Sequence, residues 1–342
     1  MTALASTYRL PDERYAVVLN ANAGRVTDAL TASIRAIIPP DRVFLTRSPE
    51  HAREVLRACV ESGVRTVFAG GGDGTIVGVI NALDELRRTY PQVPEVAILR
   101  LGTGNALAHW LGSGVPVADL ARWRSGAVHR AVTVPMVEAE GTLFPFGGLG
   151  HDAAVLNDYN RFKKASRGRW WRPLTFGLLG YLLAAFTRTI PNYVMREPVR
   201  VRIINVGAPA TRLGTRGEAI GAPVPAGETL YEGPASMVGC ATTPMFGYGM
   251  RMFPWADARP DRFQLRVLNM GPVQSAANLW PAWQGRLDHP GRHDFHVDRV
   301  RVVFDGAMPY QVGGEAQGYR KELVFGLGAH AVTLIARAPD RR

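Results

Sequence analysis

Cysteine is scarce in this chain: Cys59 and Cys240 are the only two in 342 residues, and they lie far apart. Two such residues define no disulfide framework and suit a reducing compartment. Long apolar runs are also missing. None reaches the ~18 residues needed to cross a bilayer, and the N-terminus lacks the apolar core of a signal peptide. Acidic residues are outnumbered, 29 Asp and Glu against 40 Lys and Arg, which leaves a net charge of +11 and a pI near 10.2. Such a surface favours anionic partners: phosphates, nucleic acid or acidic lipid headgroups. The basic residues are mostly scattered Arg without a nucleic-acid motif, so nucleic acid is not an expected partner. No internal repeat or low-complexity tract stands out. With 46% hydrophobic and 20% charged residues, the composition predicts a globular chain with a full core, long enough for two domains.

What is present centres on residues 64–83, VRTVFAGGGDGTIVGVINAL. Val64 to Ala69 is apolar and β-branched, as a buried parallel strand is. Glycines follow around Asp73, and then Ile76, Val79, Ile80 and Leu83 fall at helical spacing. Strand, glycine turn and helix start together make a phosphate cradle that holds one carboxylate. An ordinary tight βα turn is the alternative, and it seldom needs four glycines around one acid.

Around this stretch the chain alternates. Met1 to Glu13 reads as a loose end, and Tyr15 to Asn20 as a first strand. The turn Asn20-Ala21-Asn22-Ala23-Gly24 leads to a helix that carries Val26, Leu30, Ile34 and Ile37. Val43 to Thr46 is a second strand. Ser48, Pro49 and Glu50 open a helix with its stripe at Ala52, Val55, Leu56, Cys59 and Val60, ended by Gly63. Cys59 is therefore expected as a core thiol. Val96 to Leu99 is a fourth strand, followed by a second glycine turn, Leu101-Gly102-Thr103-Gly104-Asn105, and a helix over 106–111. This βαβα order predicts a parallel sheet covered by helices, with ligands at the strands' carboxyl ends.

Beyond Val128 short β-like runs dominate: 131–137, 199–205, 229–238, 263–269, 299–304 and 331–336. They predict a mainly antiparallel second domain. Gly147 to Gly150 leads into a polar helix over 152–164. Trp170, Trp171 and the apolar stretch 174–186 follow, flanked by Lys163, Lys164, Arg167, Arg169, Arg172 and Arg188. That border suits a peripheral membrane face, or else a buried helix on the second domain. Residues 207–227 read as a long loop. Gly313-Gly314-Glu315 lies in a turn after a β-like run.

Together these motifs resemble the diacylglycerol kinase catalytic-domain family, which includes bacterial lipid kinases, sphingosine kinases and ceramide kinases. The resemblance rests on residues 20–24, on Gly70 to Val77 (GGGDGTIV), on Leu101 to Asn105 (LGTGN) and on Gly148 to Ala153. The segment Gly247 to Pro254 with Asp257 and Asp261, and the Gly-Gly-Glu315 turn, complete it. It implies a nicotinamide-nucleotide-kinase-like α/β domain over residues 14–130, followed by a β-sandwich acceptor domain over 131–338, with ATP between them. Asn20, Ala21, Asn22, Ala23, Gly24, Thr46, Gly71, Gly72, Asp73, Gly74, Thr75, Ile76, Val77 and Thr103 would hold ATP. Glu315 would accept the proton of the substrate hydroxyl. Asp73 would orient magnesium and phosphate or share the base role. Asp261, with the backbone carbonyls of Ala258 and Phe263, would match a structural magnesium site.

Three positions depart from the family pattern. The usual Asp-Gly-Glu turn is Gly313-Gly314-Glu315, the usual Asn before the later glycine motif is replaced within Ala241 to Pro244, and the usual Asp-Gly pair is Asp261-Arg262. The expectation is a cytoplasmic, peripherally membrane-associated lipid kinase that uses ATP and Mg2+ on a diacylglycerol- or sphingosine-like hydroxyl. Whether it forms a homodimer stays open. A nicotinamide-nucleotide kinase and a lipid-binding protein without turnover are the alternatives.

Overall fold

The computed structural model describes residues 4–150, 153 and 199–338. The chain divides into two compact units. One comprises Met1–Met136 and Gly328–Arg342, the other Val137–Leu327.

Six strands of the first unit precede the division: β1 (Ser6–Arg9), β2 (Tyr15–Asn20), β3 (Val43–Thr46), β4 (Thr66–Gly71), β5 (Glu95–Arg100) and β6 (His129–Val134). The chain's last strand, Val332–Arg337, returns to lie between β6 and β5, which gives a seven-stranded sheet. β3, β2, β4, β5 and the last strand run parallel, while β6 and β1 add an antiparallel edge. The helices are α1 (Asp28–Arg35), α2 (Pro49–Glu61), α3 (Asp73–Arg87), α4 (Ala106–Leu111) and α5 (Pro116–Arg124). Every residue of β4 is buried, as in a parallel strand covered on both faces.

Local chemistry sets the element ends. The Ser48 hydroxyl accepts from the His51 N–H at 3.2 Å, Pro49 is the first helical residue, and Gly63 at φ +73 closes α2. Ile76, Val79, Ile80 and Leu83 of α3 are all at most 3% exposed, which is the expected stripe. Tyr15, Phe68 and Trp123 meet edge to face with centroids 5.1–6.3 Å apart and lock α5 to the sheet. Cys59 is buried, and burial pushes its thiol up to about 11.

The second unit contains β7 (Val137–Ala139), β8 (Thr142–Phe144), β9 (Phe146–Gly150), β10 (Arg200–Asn205), β11 (Ala210–Leu213), β12 (Ala219–Val224), β13 (Thr229–Pro234), β14 (Met237–Ala241), β15 (Phe263–Leu268), β16 (Arg292–Val297), β17 (Arg299–Val312) and β18 (Glu315–Leu327). Among the described residues these twelve strands form one antiparallel sheet. Two short helices, α6 (Pro272–Ala277) and α7 (Leu279–Trp283), join β15 to β16. The last strand, Val332–Arg337, is β19.

The structure corrects several expectations. The division falls after Met136, and β6 and β19 belong to the first sheet rather than the second domain. Alternation reveals that a segment is a strand but not which sheet accepts it. The loose N-terminal end includes β1, an exposed edge strand on β6. Within 207–227 lies the β11–β12 hairpin, because Gly217 at φ +82 turns the chain and the Gly214 N–H donates to the Glu218 carbonyl at 2.8 Å. Apart from Ala153, the helix expected over 152–164 lies outside the described residues, as do the apolar stretch 174–186 and its Trp and basic border. No helix among the described residues is long and apolar enough to cross a membrane.

Candidate functional site

Four strand ends of the first unit lie in register. Asn20 pairs across from Thr46, and Gly71 across from Arg100. Backbone and side-chain bonds tie the ends together. The Ala21 N–H donates to the Thr46 carbonyl at 2.9 Å, and the Thr46 hydroxyl donates to the Leu19 carbonyl at 3.2 Å. Asn20 Nδ2 donates to Thr75 Oγ1 at 2.9 Å, which joins β2 to the first turn of α3. The turn over 20–24 closes on itself through Asn22 N–H to Asn20 Oδ1 and Ala23 N–H to the Asn20 carbonyl, each 2.9 Å. Asn22 Nδ2 reaches the Arg47 carbonyl at 2.8 Å.

The two glycine turns touch backbone to backbone. A Cβ on Gly102 would lie 2.5 Å from Gly72 Cα and 3.1 Å from the Gly71 carbonyl oxygen. A Cβ on Gly71 would meet Thr75 Oγ1 at 2.5 Å, and one on Gly70 would meet Leu19 Cδ2 at 2.5 Å. Gly24 differs: nothing lies within 4 Å of its missing Cβ. Close approach thus explains Gly70, Gly71 and Gly102 but not Gly72 or Gly24.

Gly72 is the N-cap of α3 and supplies no side-chain cap, so the first-turn N–H groups keep their capacity for an anion. Asp73 begins that helix, and its Oδ1 accepts from the Ala106 N–H at 2.8 Å, at the start of α4. One carboxylate therefore binds the two turns together. Asn105 fixes the second turn from within. It is buried, sits at φ +51, accepts from the Gly102 N–H at 2.8 Å and donates to the Gly102 carbonyl at 2.6 Å. Asparagine tolerates that left-handed backbone better than most residues. Thr103 stays exposed on this turn. Ile76 and Val77 point into the core, so only their backbones can serve a ligand.

Sequence reasoning gave no role to Asn105, Arg100 or His109. Asn105 was readable as the Asn of LGTGN. The Arg100–His109 pair was not, because eight residues of turn and helix separate its members. Arg100 Nη2 lies 3.1 Å from His109 Nε2. Burial, and then the charge of Arg100, hold His109 below the usual imidazole range, so it accepts from the guanidinium as a neutral ring. A cation is thereby fixed at the carboxyl end of β5, beside Gly71.

The remaining expected residues lie in the second unit. Glu315 is the first residue of β18, exposed and paired across from Val312. Gly313 and Gly314 take φ +54 and +78, a two-residue hairpin turn with both central residues left-handed. Gln311, 1% exposed, accepts from the Gly314 N–H at 2.9 Å, and the Gly313 N–H donates to the Phe146 carbonyl at 2.9 Å. The turn is therefore set by buried partners, with Gly313 itself buried, and exposure begins at Glu315.

The Asp261 region holds an ion-pair cluster. Arg259 grips the carboxylate with Nε at 3.1 Å and Nη2 at 2.8 Å, and Arg262 Nη1 adds a contact at 3.0 Å. Hydrogen bonds from Arg259, and then the charges of Arg259 and Arg262, hold this carboxyl below the usual range. Phe263 is fully buried in β15, and the Ala258 N–H donates to the Trp255 carbonyl at 3.2 Å. Two guanidinium groups on the single carboxylate do not suit a divalent cation. Among the described residues no group of three or more His, Cys, Asp or Glu side chains could hold a metal ion.

Comparison with known proteins decides the family. The model of the "Diacylglycerol kinase catalytic domain" matches residues 14–135. The "Probable lipid kinase YegS-like" protein of an Enterobacter strain is 46% identical over 264 residues, 77% of this chain and 75% of that protein. The chain belongs to the diacylglycerol kinase catalytic-domain family. "Diacylglycerol kinase 2" of Arabidopsis thaliana is 30% identical over 178 residues, 45% of this chain but only a quarter (25%) of the plant protein. A crystal structure of a diacylglycerol kinase from Bacillus anthracis shares the fold at a TM-score of 0.61 and 16% identity, covering 96% of this chain and 97% of that one. As a family of lipid kinases, it gives the glycine turns of β4 and β5 a chemical context.

Proposed function

We propose that this protein is an ATP-dependent lipid kinase that transfers the γ-phosphate to a hydroxyl of a diacylglycerol- or sphingosine-like lipid. The observation that carries the reading is the fusion of the two glycine turns, Gly102 against Gly72 with Asp73 bridging them. A triphosphate needs many N–H donors at close range, and side chains at these glycines would deny it that approach. Phosphoryl transfer asks mainly for positioning and charge neutralisation.

In this reading residues 20–24, Thr46, Gly71 to Val77 and Thr103 receive the nucleotide, the last helical residues through their backbones. Asn20 and Thr75 hold each other and so orient the cradle. Asp73 carries its negative charge at the start of α3, where it can serve a magnesium ion accompanying the nucleotide. When bound, that ion neutralises phosphate charge. Glu315 takes the proton of the acceptor hydroxyl, which requires hydrogen-bond reach of ~2.6–3.2 Å in the substrate complex. A structural magnesium at Asp261, Ala258 and Phe263 has no part in the proposal, because arginines already satisfy Asp261. A cytoplasmic protein recruited to the membrane surface is the setting that fits a lipid acceptor.

The test is phosphate transfer from labelled ATP to a panel of diacylglycerol, sphingoid base and nicotinamide dinucleotide. Labelled lipid supports the proposal. Labelled dinucleotide alone would move the protein to the nicotinamide-nucleotide kinases. ATP binding without product on any acceptor would make it a lipid-binding protein without turnover.

A further inference from the structure

A stretch of the second unit has an exposed face of unusual chemistry. Residues 267–285 contain no Asp, Glu, Lys or Arg, in a chain that is 20% charged. They include α6 and α7. Within these helices Val273 is 75% exposed and Trp280 67% exposed, and Ala277 between them is exposed too. Val273 and Ala277 stand at i, i+4 on α6, and Trp280 follows on α7 after the break at Asn278. Ala282 is buried, and Leu279 and Trp283 are partly so. Surface apolar residues scattered singly need no explanation, but a Trp and a Val both exposed on consecutive helices of an uncharged stretch do.

The border of that face is basic. The Arg251 N–H donates to the Trp283 carbonyl at 3.0 Å, and a Cβ on Gly285 would lie 3.1 Å from Arg251 Cβ, so Arg251 flanks the end of α7. The Arg286 N–H donates to the Pro281 carbonyl at 2.8 Å. Both arginines are exposed. Asp288, exposed two residues beyond Arg286, is the acid nearest to them in sequence.

We propose that α6 and α7 form a docking face for an anionic lipid bilayer, with Trp280 and Val273 entering the headgroup boundary and Arg251 and Arg286 meeting acidic headgroups. Charge complementarity selects this occupant: the chain carries +11, and the arginines stand at the edge of the apolar patch rather than within it. Tryptophan is the side chain best suited to that boundary, with a flat apolar body and one N–H. The inference deepens the lipid-kinase reading by naming the surface that meets the membrane.

The test is co-sedimentation of the full chain with phosphatidylcholine vesicles with or without 30% phosphatidylglycerol. The wild type should bind the anionic vesicles more tightly. Trp280→Ala should weaken that binding about tenfold, and Arg251→Gln and Arg286→Gln about fivefold each, in a salt-sensitive way. Val273→Gln, at a more exposed position, is the second variant should Trp280→Ala disturb folding. Unchanged sedimentation of both Trp280→Ala and Val273→Gln overturns the proposal. So does loss of a dimer by these variants in analytical ultracentrifugation with vesicle binding intact, which would assign the face to a second copy of the chain. Vesicle binding is read without turnover: a wild type that binds but phosphorylates nothing sinks the kinase reading and leaves this face standing.

Discussion

The two units hold their key acids by different means. In the first, Asp73 starts a fifteen-residue helix and also accepts from the backbone of the next glycine turn at 2.8 Å. In the second, Glu315 stands exposed at the mouth of a hairpin, directly after the left-handed pair Gly313 and Gly314. The first acid is part of the scaffold. The second depends on a turn whose own fixity comes from Gln311 and Phe146 beneath it. The lesson is that Asp73 cannot be truncated without loosening the second glycine turn, so its charge has to be tested by an isosteric change.

That difference can be broken experimentally. Asp73→Asn keeps an oxygen for the Ala106 N–H and removes the charge, so turnover should fall by about 100-fold or more with little change in Tm. Asp73→Ala should add a stability loss of about 1 kcal/mol, read by urea denaturation, because it also deletes the acceptor. Near-normal turnover of Asp73→Asn would remove the charge from the mechanism. Glu315→Gln should cost about 100-fold in turnover with Tm unchanged, and a rate equal to wild type would clear Glu315 of the base role.

A smaller effect sharpens the comparison at the turn. Gly313→Ala places a Cβ at φ +54 and should cost about 1 kcal/mol of stability. Gly313→Asp should cost less, since Asp tolerates that backbone, and it restores the acid usual in the family. A higher lipid-phosphorylation rate in Gly313→Asp than in wild type would show that the missing acid limits this protein.

The smallest expected effect is at Cys59. Burial pushes its thiol up to about 11, so between about pH 9 and 10 it stays mostly protonated while an unfolded cysteine ionises. Alkylation should therefore remain slow in the native protein across that window and become fast on unfolding. Rapid native alkylation at pH 9 would contradict the burial.

Much of the first unit was legible because its signals are local. Ser48-Pro49, Gly63 and the Ile76 to Leu83 stripe each act within one or two turns of chain. The strands Tyr15–Asn20 and Val43–Thr46 occur where the sequence places them. What escaped was decided at long range. Nothing in Val332–Arg337 says that it inserts between β5 and β6. Nothing near Asp261 in the family pattern says that Arg259 and Arg262 will claim its carboxylate. At the candidate site the glycine turns were legible as a cradle, but their mutual contact was not, because Gly72 and Gly102 meet only when β4 and β5 pair in register.

That contact is the central claim, and nucleotide binding tests it most directly. ATP affinity should be measured by calorimetry for wild type, Gly102→Ala and Gly78→Ala, with thermal melts as the folding control. The added methyl at 102 has 2.5 Å of room before Gly72 and should weaken ATP at least about tenfold, while the one at 78, exposed on α3 and outside the residues assigned to the nucleotide, meets nothing within 4 Å and should leave affinity unchanged. Equal, wild-type affinity in both variants would mean that the fused turns do not hold the triphosphate.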